Sequence, residues 1–200
     1  MENVVLFPDS LLPLHIFEPR YRKLIQDILA SNKLLAISLQ LEREDLGKEG
    51  APRVAGIASV GEVVMAQELP DGRYNLIVQG RARISIDEEL TSDEPYRLIT
   101  AHEIPDDPPT APVPEADITL RALVSGLAES IPEGGDLLKQ VAAAQETPAE
   151  LSNVLAAALV ADTKDRQRLL ETTSVADRLE FLTSEIVALS GRVGKSNKPN

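Results

Sequence analysis

The chain has 200 residues, 32 acidic against 20 basic side chains, a formal charge of −12 and no cysteine. That length lets one domain or two small lobes bury an adequate core. The missing cysteine excludes disulfides, thiolate nucleophiles and thiolate metal sites, and the acidic balance opposes phosphate backbones and anionic membranes.

Met1-Glu2-Asn3 carries no basic n-region, and Pro8, Asp9 and Pro13 interrupt the apolar run that follows. Neither a signal peptide nor a spanning helix is predicted, and the expected compartment is the cytoplasm. Leu12, Leu14 and Ile16 then alternate with Pro13, His15 and Phe17, the period of a half-buried strand. Pro19 suits a first helical position and keeps Glu18 extended. From there Tyr21, Leu24, Ile25, Ile28 and Leu29 form one helical stripe, with Arg20, Arg22, Lys23, Gln26 and Asp27 outside it.

A second strand is read from Leu35, Ile37, Leu39 and Leu41, followed by a charged loop from Glu42 to Pro52. Residues 54–69 run into Pro70-Asp71-Gly72, a turn signal, and return with Tyr74, Leu76 and Val78 opposite in face to Asn75, Ile77 and Gln79. Gly80 permits a bulge; pairing resumes through Ala82, Ile84 and Ile86, and a last strand is suggested by Tyr96, Leu98, Thr100, His102 and Ile104. Residues 1–104 are therefore predicted to be a β-rich lobe with one early helix.

Five prolines between 105 and 114 make a stiff connector. Residues 115–191 are predicted to be an α-helical lobe. Its first stripe is Leu120, Leu123, Val124 and Leu127, followed by a helix over 136–145. Thr147-Pro148-Ala149-Glu150 is a capping box, followed by Leu151, Val154, Leu155, Ala158 and Leu159. A short helix covers 164–170, and the last begins at Ser174 with Val175, Leu179, Leu182, Ile186 and Leu189 inward. Gly191 is expected to end it, leaving 192–200 as a disordered tail. The fold class is α+β.

The search for chemistry yields little. No serine lies in Gly-x-Ser-x-Gly, and only His15 and His102 are available as imidazole bases. A hidden hydrolase would need a serine, a histidine and a carboxylate to converge. Gly191 to Ser196 has too few residues between its glycines for a phosphate loop, and the runs Asp87-Glu88-Glu89 and Asp106-Asp107 lack the spacing of a calcium loop. These carboxylates read as solvated. No metal and no cofactor are expected. Arg73, Arg81 and Arg83 suggest a small positive strip, but the few scattered rings do not make a stacking platform for single strands.

Three stretches together carry a resemblance: Leu12 to Tyr21 (LPLHIFEPRY), Leu69 to Gly80 (LPDGRYNLIVQG) and Lys164 to Glu171 (KDRQRLLE). From about Val4 to Leu189 the chain resembles the Lon protease N-terminal, substrate-binding domain, in the form of a stand-alone bacterial member of that family. The resemblance implies an N-terminal PUA-like β pseudo-barrel followed by a C-terminal helical bundle. It also implies a non-catalytic protein or peptide recognition module, an adaptor for unfolded or apolar polypeptide segments that acts alone or with a full-length Lon-type protease. A full protease continues into an ATPase module and a Ser-Lys proteolytic domain, whereas this sequence stops first, so no enzyme activity is expected. The expected contact surface is the junction of the lobes and the Leu12–Tyr21 entry, with His15, Phe17, Arg20 and Tyr21 as peptide-binding residues. The alternative is a PUA-like RNA-associated domain, which the acidity disfavours.

Overall fold

The change of period at Pro19 is realised directly in the computed structural model, which describes residues 3–41, 52–108 and 113–196, with side chains as far as Arg192. β1 (Leu11–Ile16) ends two residues before α1 (Pro19–Leu29), whose N-cap Glu18 is extended and whose first residue is the proline. β2 (Leu34–Ile37), β3 (Ile57–Glu68), β4 (Tyr74–Leu90) and β5 (Leu98–Glu103) complete one antiparallel sheet, ordered β1-β4-β3-β2 with β5 also on β4. β1 and β5 share the same edge of β4: β1 pairs with Tyr74 to Gln79 and β5 with Ile84 to Leu90. The expected hairpin turn holds Gly72 at φ 78°, which glycine adopts without a Cβ penalty, and closes with Gly72 N–H donating to the Leu69 carbonyl at 2.9 Å.

The core of this unit forms on one sheet face. Ile16, Tyr74, Leu76, Val78 and Val63 meet Ile25 and Ile28 of α1 and Leu6 of the N-terminal segment, with Leu12, Leu14, Tyr21 and Leu24 packed around them. Burial of each such side chain contributes about 1.5–3 kcal/mol. The pairing Gly61↔Gly80 lies beneath the N-terminal segment. A Cβ on Gly80 would stand 2.0 Å from the Phe7 carbonyl oxygen, and one on Gly61 would stand 2.8 Å from Leu6 Cδ2. Here the chain crosses its own sheet, tied by Ser59 Oγ donating to the Leu6 carbonyl at 2.6 Å. The ladder shifts at this place, leaving Arg81 as an extra residue on β4, and shifts again at Val64 on β3.

The second unit, Asp106–Asn200, is helical: α2 (Val113–Glu129), α3 (Gly135–Ala143), α4 (Pro148–Leu159), α5 (Thr163–Glu171) and α6 (Val175–Ser196). The capping box at α4 forms in full: Glu150 N–H donates to Thr147 Oγ1 at 3.2 Å, and Thr147 N–H donates to Glu150 Oε2 at 2.9 Å. Residues Leu151 to Ala156 are all buried, so the first part of α4 is enclosed on every side and its inward stripe is wider there than the one read from sequence, whereas Ala158 of that stripe is exposed. The helix packs chiefly on α6 and also touches α2, α3 and α5, and Leu120, Val124 and Leu127 of α2 and Leu179, Leu182 and Ile186 of α6 are buried in the same unit. Arg178, also on α6, is fully buried.

Two expectations change. α6 does not stop at Gly191 but continues to Ser196; Gly191 is absent from the positive-φ glycines, so it keeps a helical backbone at a cost of about 1 kcal/mol relative to alanine. The expected disordered tail is thus helical over 192–196, and 197–200 lies outside the described residues, as do 42–51 of the predicted loop and 109–112 of the connector. Asp106 is not a solvated loop carboxylate, whereas Asp107 is exposed as expected. Asp106 forms a two-pronged ion pair with Arg178 at 2.6 and 2.9 Å, and Asp107 Oδ2 accepts from Thr173 Oγ1 at 2.7 Å. Among the described residues no helix is long and apolar enough to cross a membrane.

Candidate functional site

Alternation along β1 puts Leu12, Leu14 and Ile16 against the core and turns Leu11, Pro13 and His15 to the opposite sheet face. His15 stands opposite Asn75, and its Nδ1 lies 2.7 Å from Asn75 Oδ1 while Nε2 lies 3.3 Å from Arg73 Nη1. The neutral Nδ1–H tautomer satisfies both contacts, donating to the amide oxygen and accepting from the guanidinium. Arg73 is itself held by Asp71 at 2.6 Å, so this histidine is fastened into the hairpin turn. Phe17, just past the strand end, stacks on the His15 ring at 6.4 Å between centroids and remains 62% exposed.

The other two predicted residues form a second pair. Arg20 lies over the Tyr21 ring at 4.5 Å and donates from Nε to Glu18 Oε2 at 2.9 Å. The tyrosine packs against the core, so its exposed part is a platform edge, not a free side chain. The structure therefore brings together His15 with Phe17, and Arg20 with Tyr21, at the strand-to-helix entry.

Register extends the exposed surface beyond what sequence singled out. Pro13 pairs with Ile77, and Ile77 with Met65, so the three sit in one row across β1, β4 and β3 on the face opposite the core. Met65 within the row is 49% exposed, and Leu11, two residues before Pro13 on the same face, and Phe17, just past the end of β1, are each 62% exposed. Met65 and its neighbour Val64 escaped the sequence reading because the extra residue at Val64 inverts the alternation. A hydrophobic pair directly after a bulge gives no periodic signal.

The remaining candidates are occupied by other duties. Arg81 is paired with Glu62, Arg73 with Asp71, and Arg83 is buried, so the positive strip does not form. His102 Nδ1 contacts Asp87 Oδ1 at 2.8 Å and stands opposite Ser85 in the ladder, yet Ser85 is not among its hydrogen-bond partners and the imidazole is open to water. No group of three or more His, Asp or Glu side chains able to hold a metal occurs among the described residues. In the helical unit a groove of about 420 Å³ is lined by Leu169, Phe181, Arg168, Asp177, Glu180 and Glu185.

The ATP-dependent protease La (LON) substrate-binding domain family matches residues 1–188. The Lon protease of Roseiflexus castenholzii is 30% identical over 189 residues, covering 92% of this chain and 23% of that protein. The Lon protease of Rhizobium meliloti is 26% identical over 196 residues, covering 94% of this chain and 24% of that protein. The chain thus spans about a quarter of the length of these relatives. Among solved structures, the N-terminal domain of Mycobacterium avium complex Lon protease superposes with a TM-score of 0.74 at 18% identity, covering 94% of this chain and 95% of that one.

Proposed function

Because the chain belongs to the ATP-dependent protease La (Lon) substrate-binding domain family, we propose that it is a polypeptide-recognition module with no catalytic chemistry of its own. It holds unfolded or apolar segments in the cytoplasm and acts as an adaptor, presenting them to a full-length Lon-type protease. The observation that carries this reading is the apolar sheet face opposite the core: Leu11, Pro13, Ile77 and Met65, ending at Phe17 on its histidine support. Exposed phenylalanine and leucine of this kind each gain about 1.5–3 kcal/mol on full burial. Ordering a flexible client opposes that gain, so affinities in the micromolar range are expected, about −8 kcal/mol.

His15, Phe17, Arg20 and Tyr21 are assigned supporting and contacting parts. Phe17 inserts, His15 fixes its orientation, and Arg20 with Tyr21 offers a cationic, aromatic shoulder. The test is capture of a permanently unfolded probe, reduced and carboxymethylated lactalbumin, by immobilised chain. Phe17→Ser and Leu11→Ser should each release the probe while leaving the thermal transition unchanged. Equal capture by wild type and both variants would remove this face from the account.

A further inference from the structure

The sheet presents one short edge beside this same face that is chemically incomplete. β2 covers β3 only over Ser59 to Glu62, and the last backbone contact on that side is Val63 N–H donating to the Lys33 carbonyl at 2.9 Å. At the other end, Leu69 N–H donates inward to the Arg73 carbonyl at 2.8 Å. Residues of an antiparallel strand alternate in the side to which they aim both backbone groups. Counting back from Leu69, Gln67 and Met65 serve β4, whereas Ala66 and Glu68 aim N–H and C=O outward. Among the described residues no backbone partner meets those outward groups.

Proteins usually blunt such an edge with lysine, proline or a covering segment. Residues 64–68 are Val, Met, Ala, Gln and Glu, all exposed, and the one protective device is the bulge at Val64, which leaves 65–68 regular. β1 differs because Pro13 removes a donor from its edge. β5 also has a free edge, but it lines the other half of β4, away from Met65. Charge adds direction: Glu62 is held by Arg81 and Asp71 by Arg73, whereas Glu68 enters none of the ion pairs among the described residues.

Resting on the polypeptide-recognition reading above, we propose that the Ala66–Glu68 edge of β3 takes an extended client segment as an added strand. The backbone of that segment pairs with Ala66 and Glu68, an apolar side chain lies beside Met65, and a lysine or arginine faces Glu68. The face selects greasy sequence, and the edge selects extended backbone.

The experiment uses the full chain and a fluorescein-labelled nine-residue peptide of alternating valine and threonine ending in lysine, followed by anisotropy. Ala66→Pro removes an outward N–H without touching the ladder to β4, and proline is tolerated at such edge positions. It should weaken binding by about tenfold or more. Methylating alternate peptide nitrogens in one phase should abolish binding, and in the other phase should not; this readout stands even if Ala66→Pro fails to fold. Glu68→Lys should weaken binding of the lysine-bearing peptide in particular. Unchanged binding by Ala66→Pro together with indifference to methylation in both phases would overturn the edge while leaving polypeptide recognition intact. If wild type binds neither this peptide nor unfolded lactalbumin, both readings fall. If Ala66→Pro instead converts a dimer to a monomer in sedimentation, the occupant is a second copy of the chain and the proposal is wrong.

Discussion

Removing Asp106 should damage the helical unit more than removing the arginine it neutralises. Arg178 has no exposed side-chain surface, whereas the Asp106 side chain is 26% exposed. The guanidinium donates to both Asp106 oxygens, to Ser152 Oγ at 3.0 Å and to the Thr172 carbonyl at 3.0 Å. Asp106→Ala leaves a buried cation without its counter-charge, which costs about 3–5 kcal/mol when a buried pair is broken; partial exposure of the carboxylate places the effect near about 3. Arg178→Met keeps the volume and removes the desolvated charge. Asp106 then turns to water, Ser152 Oγ keeps its bond to the Ala149 carbonyl at 2.7 Å, and the chief loss is the Thr172 carbonyl's partner, about 1–2 kcal/mol. The double variant should resemble Arg178→Met alone. Urea unfolding separates the units, because Tyr21, Tyr74 and Tyr96 all lie in Met1–Pro105 and the chain has no tryptophan. Far-ultraviolet circular dichroism, dominated by α2 to α6, should show the loss, while near-ultraviolet tyrosine signals should not. Greater damage from Arg178→Met than from Asp106→Ala would refute the reasoning.

Two further outcomes follow from the same kind of geometry. Gly80→Ala forces a Cβ to within 2.0 Å of the Phe7 carbonyl oxygen, a backbone atom, and should lower the stability of the sheet unit by about 3 kcal/mol in a tyrosine-monitored urea transition. The Tyr96 phenol, donating to Asp27 Oδ2 at 2.8 Å, is pushed up to about 12, chiefly by that bond and then by desolvation. A raised pKa means the contribution is fully present below the ordinary value near 10 and is lost as pH rises through about 12. A phenolate absorbance titration should therefore show a late phase that vanishes in Tyr96→Phe and moves to lower pH in Asp27→Asn.

Much of the architecture was legible because local chemistry and tertiary role agree. Pro19 and the stripe Tyr21, Leu24, Ile25, Ile28 and Leu29 specify α1 and its buried face; Pro70-Asp71-Gly72 specifies the hairpin; Thr147 and Glu150 specify the start of α4. What stayed hidden depends on partners distant in sequence. Leu6 and Phe7, nearly fully buried, show no period because they cross the sheet over two glycines instead of pairing along it. Asp106 looked like one more acid in a connector, since nothing local marks Arg178, seventy-two positions away, as its partner. At the candidate site, Phe17 and His15 were visible as the outward phase of β1. Met65 was not, because the residue inserted at Val64 reverses the phase of β3.

The central claim is that the sheet face opposite the core receives polypeptide. Amide chemical-shift mapping of the isotopically labelled chain, titrated with reduced and carboxymethylated lactalbumin, tests it most directly. Perturbations should saturate and concentrate at Leu11, His15, Phe17, Met65 and Ile77, leaving the α4 interior unmoved. Saturable shifts confined to the helical unit, or none at any concentration reached, would contradict it.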